Sequence, residues 1–369
     1  MGYRQSSLES MVINKTFWKD KHVFVTGHTG FKGSWLSLLL QNLGARVTGY
    51  SLQPPTNPSL FELANVVDGM HSIEGDVRDL DHLRSAMRET HPEIVIHMAA
   101  QPIVRQSYQN PVETYSTNVM GTVNLLESVR QTEGVRSVIN VTSDKCYENK
   151  EWIWGYRENE PMGGYDPYSN SKGCSELITS AFRNSFFHPN DYQKHGVAVA
   201  SARAGNVIGG GDWAESRLIP DCINKWLAGE IVTIRYPQAV RPWQHVLEPL
   251  CGYLQLAERL YVLGSQFAEA WNFGPKEQDS QSVQYIVQNL AILWKGGAHW
   301  NIDSSPQPHE ANFLKLDSSK ANNLLKWFPR WRIESTLEKI SEWYQVYQEN
   351  PQSIRKITLQ QIETYSKGD

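Results

Sequence analysis

One stretch constrains this chain more than any other: three glycines placed between a strand and a helix. Lys21 to Thr26 reads KHVFVT, a short apolar, β-branched run of the kind found in buried strands. It leads directly into GHTGFKG, with glycines at 27, 30 and 33, and then into SWLSLLLQNLG, an amphipathic helical pattern ending at Gly44. Strand, glycine-rich turn and helix in that order is the context a dinucleotide fingerprint requires. Gly27 permits the tight turn, Gly30 lets backbone approach a pyrophosphate, and Gly33 lets the helix pack closely. The helix N-terminus then faces the phosphate charge. Thr29, Phe31 and Lys32 fill the turn and are candidate cofactor contacts with it. The spacing is G-x-x-G-x-x-G, not the commoner G-x-G-x-x-G.

The alternation of strand and helix continues. Arg46 to Ser51 is a second strand. An acid often stands at its end, about twenty residues past the turn, to hold the cofactor's ribose hydroxyls. Here the end carries Ser51, Leu52 and Gln53, with no acid and no arginine for a 2′-phosphate. NAD is therefore expected over NADP, and loosely held. After a proline-rich loop, His71 to Asp76 is a third strand, with Asp76 and Val77 at its end. A helix spans Asp79 to Thr90, and Glu93 to Ala100 is a fourth strand that ends at Ala99, Ala100 and Gln101. One long helix is expected from Asn110 to Glu133, with Asn118 inside it. Arg136 to Thr142 is the fifth strand and Gly196 to Arg203 the sixth. The fold class is α/β: a Rossmann-type doubly wound parallel sheet with a smaller C-terminal substrate-binding domain.

The fifth strand delivers Ser143, Asp144 and Lys145 to its carboxyl end: a hydroxyl, an acid and a candidate base side by side. Ligands of open parallel sheets bind beyond the carboxyl ends of the strands. The cluster thus falls on the edge where the glycine turn would hold a nicotinamide nucleotide. Downstream, Asp166 and Pro167 read as the N-cap and first-turn proline of a helix. Tyr168 and Lys172 then lie one turn apart on one face. A free phenol titrates near ~10, and a neighbouring ammonium is expected to lower that. Tyr168 could then exchange a proton with a substrate hydroxyl. That is the chemistry of secondary-alcohol oxidation, given a hydride acceptor beside it.

Beyond Ala204 the pattern changes. AGNVIGGGDW is a glycine-rich loop, followed by Arg217 and an amphipathic helix to Gly229. IRYPQAVRPWQHV supplies Arg235, Arg241 and His245. With Asn206 these are candidate substrate contacts, the arginines being suited to bidentate contact with a diphosphate. A solvated surface is the other reading of the same residues. The C-terminal third is helical in pattern, near Ser282 to Lys295 and Ser335 to Glu349. The expected organisation is a disordered leader over residues 1–13, then a NAD-binding domain over 14–205 joined by about 242–275 crossing back. Residues 206–241 and 276–369 form the substrate domain.

Composition excludes several classes. A formal charge of −4 leaves no basic footprint for nucleic acid. No apolar run approaches the ~18 residues of a membrane span. Cys146, Cys174, Cys222 and Cys251 form no C-x-x-C pair, zinc site or disulfide framework. No metal is expected, and a reduced, cytoplasmic setting fits.

GHTGFKG, Asp76-Val77, HMAAQ, Asn118, the serine before Asp144, and Tyr168 with Lys172 together resemble the extended short-chain dehydrogenases/reductases. That likeness covers most of the first 205 residues. From Lys15 to the C-terminus the chain is similar to the CDP-glucose 4,6-dehydratase branch. The distinguishing stretches are GHTGFKGSWL, GYSLQPPTNPSLFE, TSDKCYEN, GNVIGGGDWAESRLIPD and RPWQHVLEPL. The resemblance implies a lyase that converts CDP-D-glucose to CDP-4-keto-6-deoxy-D-glucose plus water, a precursor of deoxysugars in surface polysaccharides. It implies that Tyr168 removes the C4 hydroxyl proton as hydride passes to NAD, with Ser143 and Lys172 orienting. Lys145 then takes the C5 proton, Asp144 protonates the departing C6 hydroxyl, and hydride returns to C6. Thymidine-linked relatives carry Asp-Glu where this chain has Asp144-Lys145, and Lys145 must be neutral to act as a base. A homodimer packed through the long helices beginning near Asn110 and Tyr168 is also implied. Two rivals remain. A nucleotide-sugar C4 epimerase shares the glycine turn and Tyr168/Lys172 but has no need of Asp144-Lys145. A non-catalytic dinucleotide sensor usually lacks the Tyr/Lys dyad.

Overall fold

The computed structural model describes residues 13–303 and 313–367, so the expected leader lies outside the described residues apart from Ile13. The chain runs through β1 (His22–Thr26), α1 (Phe31–Asn42), β2 (Arg46–Ser51), β3 (Met70–Glu74), α2 (Leu80–Thr90) and β4 (Ile94–His97). It continues through α3 (Gly121–Arg130), β5 (Ser137–Val141), α4 (Pro167–Ser185), β6 (Ala198–Arg203), α5 (Leu218–Leu227) and α6 (Leu247–Leu263). β7 (Ala270–Asn272), α7 (Val283–Leu293), α8 (Ile333–Glu349) and α9 (Ile354–Lys367) complete it.

Seven strands form one parallel sheet in the order β7-β6-β5-β4-β1-β2-β3. The chain starts in the middle, winds outward to β3, then returns to β4 and winds the other way. This is the doubly wound, Rossmann-type α/β architecture, with its switch point between β1 and β4. Every residue of β4, β5 and β6 is buried. Helices cover both faces, so these strands are mostly apolar without a solvent-facing alternation, and their polar members His97, Ser137, Asn140, Ser201 and Arg203 are buried as well. Thr26 ends β1 opposite Tyr50 and His97, which fixes where the crevice opens. β7 pairs with β6 from far along the chain, and α6 packs on β5 and β6.

Three elements differ from the sequence reading. α1 is not amphipathic: Gly33 to Leu40 are buried all round, because α6 and α9 pack against it. The long helix expected from Asn110 to Glu133 is divided into Pro111–Tyr115, a π-turn over Ser116–Met120, and α3. The cause is Asn118, whose side chain is turned inward to bond the β4 loop and α4, and a π-turn supplies the extra residue this needs. α9 was not read as an element. It is anchored by Arg355, which donates to the carbonyls of Ala64 at 2.8 Å and Asn65 at 2.6 Å. The Gly209–Gly211 loop passes so close to α8 that a Cβ on Gly210 would stand 2.1 Å from the Trp343 ring.

Candidate active site

The glycine turn fits a dinucleotide, each glycine for its own reason. Gly27 has φ +75°, and a Cβ there would stand 2.7 Å from the Ala99 nitrogen. A Cβ on Gly33 would stand 2.1 Å from the Gly27 carbonyl oxygen, so α1 packs on the turn only with glycine there. Gly30 is the N-cap of α1; no side chain caps the helix, and the nearest atom to a Cβ at Gly30 is 3.5 Å away. The first N–H groups of α1 are therefore presented to an anion.

The other expected cofactor residues divide into two groups. Thr29 Oγ1 lies 2.9 Å from Ser51 Oγ and donates to the Leu52 carbonyl at 2.9 Å. Asp76 receives Arg78 Nε at 2.8 Å, which holds its carboxyl below the usual range, and Val77 is buried behind it. Ala99 and Ala100 line the end of β4, half-buried. Phe31 faces the 209–211 loop, 3.1 Å from where a Cβ on Gly209 would be. Gln101 and Asn118 instead hold the frame. Asn118 Oδ1 accepts from Gln101 N at 2.8 Å, and its Nδ2 donates to the Gln101 carbonyl at 3.0 Å and to Ser171 Oγ at 2.9 Å. One buried amide thus ties the β4 end to the helix carrying Tyr168 and Lys172. Gln101 Nε2 in turn donates to Thr114 Oγ1 at 2.8 Å.

The β5 end and the first turn of α4 bring the expected catalytic group together. Asp166 caps α4 by accepting from Ser169 N at 2.9 Å, and Pro167 occupies the first turn, as the sequence requires. Tyr168 and Lys172 are both buried. Ser143 hydrogen-bonds Tyr168, donates to Asp144 Oδ1 at 3.0 Å and accepts from Lys145 N at 3.2 Å. Asp144 is 2 % exposed, and its Oδ2 has no hydrogen-bond partner among the described residues. Burial raises the Asp144 carboxyl, with Lys145 and Arg241 nearby opposing. Lys145 is half-buried.

The expected lowering of Tyr168 by Lys172 is not found. Burial raises the phenol to about 12, opposed by the Ser143 hydrogen bond and by Arg217. Lys172 Nζ donates to the Val141 carbonyl at 3.3 Å, and burial brings its own value down to about 8. A partly neutral, carbonyl-bound lysine polarises its neighbour less than the spacing alone suggests.

The candidate substrate residues are not all in one place. Arg217, just before α5, pairs with Asp212 at 3.0 Å and lies within charge range of Tyr168. Arg241 is buried near Asp144. Asn206 has φ +35°, a strained conformation for a side-chain-bearing residue, in the loop after β6. Arg235 is half-buried beyond the strand Val232–Ile234. His245 is placed in the core, not in a clamp. It is 0 % exposed, its ring lies 5.6 Å from that of Trp35 and 4.8 Å from that of Trp331, and burial drives it to about 3. RPWQHV reads as polar in sequence, but its histidine points to the side that α1 and the segment before α8 cover. Two site residues were missed. Tyr253 on α6 lies within charge range of Asp144 and Tyr168, yet in sequence it is one aromatic in an apolar helix. Asp212, the partner of Arg217, was signalled only by GGGDW.

Residues 24–340 match the family described as GDP-mannose 4,6 dehydratase. The chain belongs to this family. Among its dehydratase relatives, the chain is 60% identical over 336 residues to the CDP-glucose 4,6-dehydratase of Salmonella typhimurium, covering 91% of this chain and 94% of that one. Two solved structures share the fold. MoeE5 in complex with UDP-glucose and NAD has TM-score 0.73 at 25% identity, over 88% of this chain and 98% of that chain. The dTDP-glucose 4,6-dehydratase of Bacillus anthracis in complex with NAD has TM-score 0.70 at 21% identity, over 91% and 99%.

Proposed function

We propose that this dehydratase converts CDP-D-glucose to CDP-4-keto-6-deoxy-D-glucose and water, with NAD recycled. The observation that carries the reading is Asp144: a carboxyl raised by burial, with one oxygen unbonded among the described residues, beside the Tyr168–Ser143 pair. Removing a C6 hydroxyl as water needs a proton donor placed at that oxygen, and burial favours the protonated form of this carboxyl. A C4 epimerase needs none, and a dinucleotide sensor needs neither this acid nor the dyad.

NAD, when bound, supplies the hydride acceptor and a positive ring that helps the raised Tyr168 phenol to ionise. The glycine turn and the open N–H groups of α1 hold its pyrophosphate. Tyr168 Oη takes the proton of the C4 hydroxyl, and Ser143 Oγ steadies the oxygen through that transfer. Lys172 stays fixed on the Val141 carbonyl and keeps the phenol in place. Once C4 is a ketone, the C5 proton is acidic, and Lys145 removes it. Asp144 gives its proton to the C6 oxygen, which leaves as water, and Lys145 returns a proton to C5 when C6 is reduced. Arg217 and Arg241 hold the diphosphate, so that the sugar stays bound throughout.

The dinucleotide-binding unit is assigned to residues 14–205 with about 242–275, and the nucleotide-sugar-binding unit to 206–241 and 276–369. The supporting observation is that β7 joins the sheet and α6 packs on β5 and β6. A homodimer is expected through the helices after Asn110 and Tyr168, on which Met120, Leu177 and Phe186 are 50%, 59% and 50% exposed. No described helix is long and apolar enough to cross a membrane, and the assigned setting is cytoplasmic, in deoxysugar synthesis. The test is incubation with CDP-glucose and NAD. A 4-keto sugar detected by its alkaline chromophore supports the reading. No chromophore with CDP-glucose, but one with another nucleotide glucose, would move the substrate assignment.

A further inference from the structure

A buried ion pair borders the catalytic turn, and the reaction scheme does not use it. Arg203 ends β6, and Glu176 stands on α4 one turn beyond Lys172. Both are buried, and Arg203 Nη2 donates to Glu176 Oε2 at 2.8 Å. Glu176 Oε2 also accepts from Ser201 Oγ at 2.6 Å, and its Oε1 accepts from Thr142 Oγ1. Burial works against this carboxylate, yet Arg203, Ser201 and Thr142 hold it below the usual range. The other terminal nitrogen of Arg203, Nη1, donates to Tyr147 Oη at 2.7 Å and to the Glu158 carbonyl at 2.9 Å. The guanidinium lies 4.9 Å from the centre of the Tyr147 ring, and Tyr147 Oη donates in turn to Asn272 Oδ1 of β7 at 2.7 Å.

Thr142 and Tyr147 flank the turn that carries Ser143, Asp144 and Lys145. One guanidinium therefore reaches both ends of that turn, through Glu176 at its start and directly at its end. Buried ion pairs are often matched in stability by packed apolar side chains, so stability is a weak reason for two charges here. A rigid fork of donors suits a geometric role better. We infer that Arg203 is a positioning residue for the elimination step: it pins both ends of the turn and so holds Asp144 and Lys145 in register with Tyr168 and Lys172. The inference rests on the dehydratase reading above. The dyad has supports of its own, the Asp166 cap and the Asn118–Ser171 bond. Oxidation and elimination thus depend on Arg203 to different degrees. When the turn drifts, Tyr168 stays with its helix, while the acid and the base lose their places at C5 and C6.

The test uses Arg203→Lys, which keeps a charge opposite Glu176 but loses the fork that reaches Tyr147, and Tyr147→Phe, which removes only the hydroxyl. Glu176 is left in place because its charge also supports the Lys172 ammonium, against burial and the nearby Lys32 of α1. Each variant is given CDP-glucose and NAD. Enzyme-bound NADH and the 4-keto chromophore are followed separately, with thermal melts beside them. Arg203→Lys should form NADH within a few-fold of the wild type, lose about 10²-fold in 4-keto product and keep its KM for CDP-glucose. Tyr147→Phe should show the same pattern at about tenfold, and it guards against a loss of folding in the lysine variant. The double variant should be no worse than Arg203→Lys alone, because the hydroxyl has already lost its partner. Folded variants in which NADH formation and product fall together, or in which neither falls, would overturn the role of Arg203 while leaving the dehydratase reading intact. A wild type that makes no 4-keto sugar would overturn both.

Discussion

Gly205→Ala isolates Asp144 from the rest of the machinery. Gly205 follows β6, and its φ is not in the left-handed region, so alanine adds no backbone strain there. What it adds is a methyl carbon 2.0 Å from Asp144 Oδ2, 2.4 Å from Cγ and 3.0 Å from Cβ. Ordinary contact is more than about 1 Å longer than the first of these. Asp144 is buried, and its Oδ1 is bonded to Ser143, so the carboxyl must rotate off its present position or push the strand ends apart. Overpacking of this size destabilises by about 1–3 kcal/mol. Misplacing a catalytic group by ~1 Å reduces its step by about 10²-fold. The three atoms nearest the new methyl all belong to Asp144, so oxidation at C4 should survive and elimination should fail. With CDP-glucose, the variant should build up enzyme-bound NADH, seen by its absorbance, while the alkaline chromophore falls about 10²-fold. Normal turnover with unchanged stability would refute the placement of the acid. Loss of NADH formation as well would mean that Asp144 acts in the first step.

Three further outcomes are expected. Tyr168→Phe should bind NAD nearly as the wild type does but lose at least ~10²-fold in turnover; turnover within a few-fold would remove the phenol from the mechanism. Lys145→Met should oxidise C4 and stall, with NADH accumulating, and normal dehydration by this variant would assign the C5 proton to another base. Glu248, buried between α6 and the C-terminal segment, accepts from Trp331 N at 2.7 Å, Arg330 N at 3.0 Å and Tyr365 Oη at 2.6 Å, and burial raises it from 4.5 to about 7. An acid raised on folding stabilises the native state below its unfolded value, so stability should fall by about 3 kcal/mol as pH rises from ~4.5 through ~7; thermal melts of Glu248→Gln should lack that slope, and an equal slope in the variant would place it elsewhere.

The sheet was legible because its strands are buried on both faces, so KHVFVT, EIVIHMAA and GVAVASAR are mostly apolar, with their buried polar exceptions Thr26, His97, Ser201 and Arg203 towards the strand ends. The glycine turn was legible because sterics leave no other residue at Gly27 or Gly33. Asp166, Pro167, Tyr168 and Lys172 were legible because capping and helical spacing are local rules. What failed to show depends on groups distant in sequence. The π-turn at Asn118 exists to satisfy Gln101 and Ser171, partners 17 and 53 residues away. The raised phenol of Tyr168 reflects burial by the assembled domain, which outweighs the one local charge that spacing reveals. His245 lay in a run of polar residues, and only the approach of Trp35 and Trp331 puts it inside. Tyr253 gains its place from how α6 crosses the sheet, which no pattern within α6 encodes.

The central claim is that one sugar keeps its own hydride. The described site has a single glycine turn and a single Tyr/Lys dyad. Tyr168 and Asp144 both border Ser143, so oxidation and elimination share one enclosure. The decisive measurement is turnover of a mixture of CDP-glucose deuterated at C4 and unlabelled substrate, with mass analysis of the product. The account predicts deuterium at C6 of the same molecules, no crossover, and a solvent-derived hydrogen at C5. Label scrambled between molecules, or NADH released to solution in amounts equal to product, would contradict it.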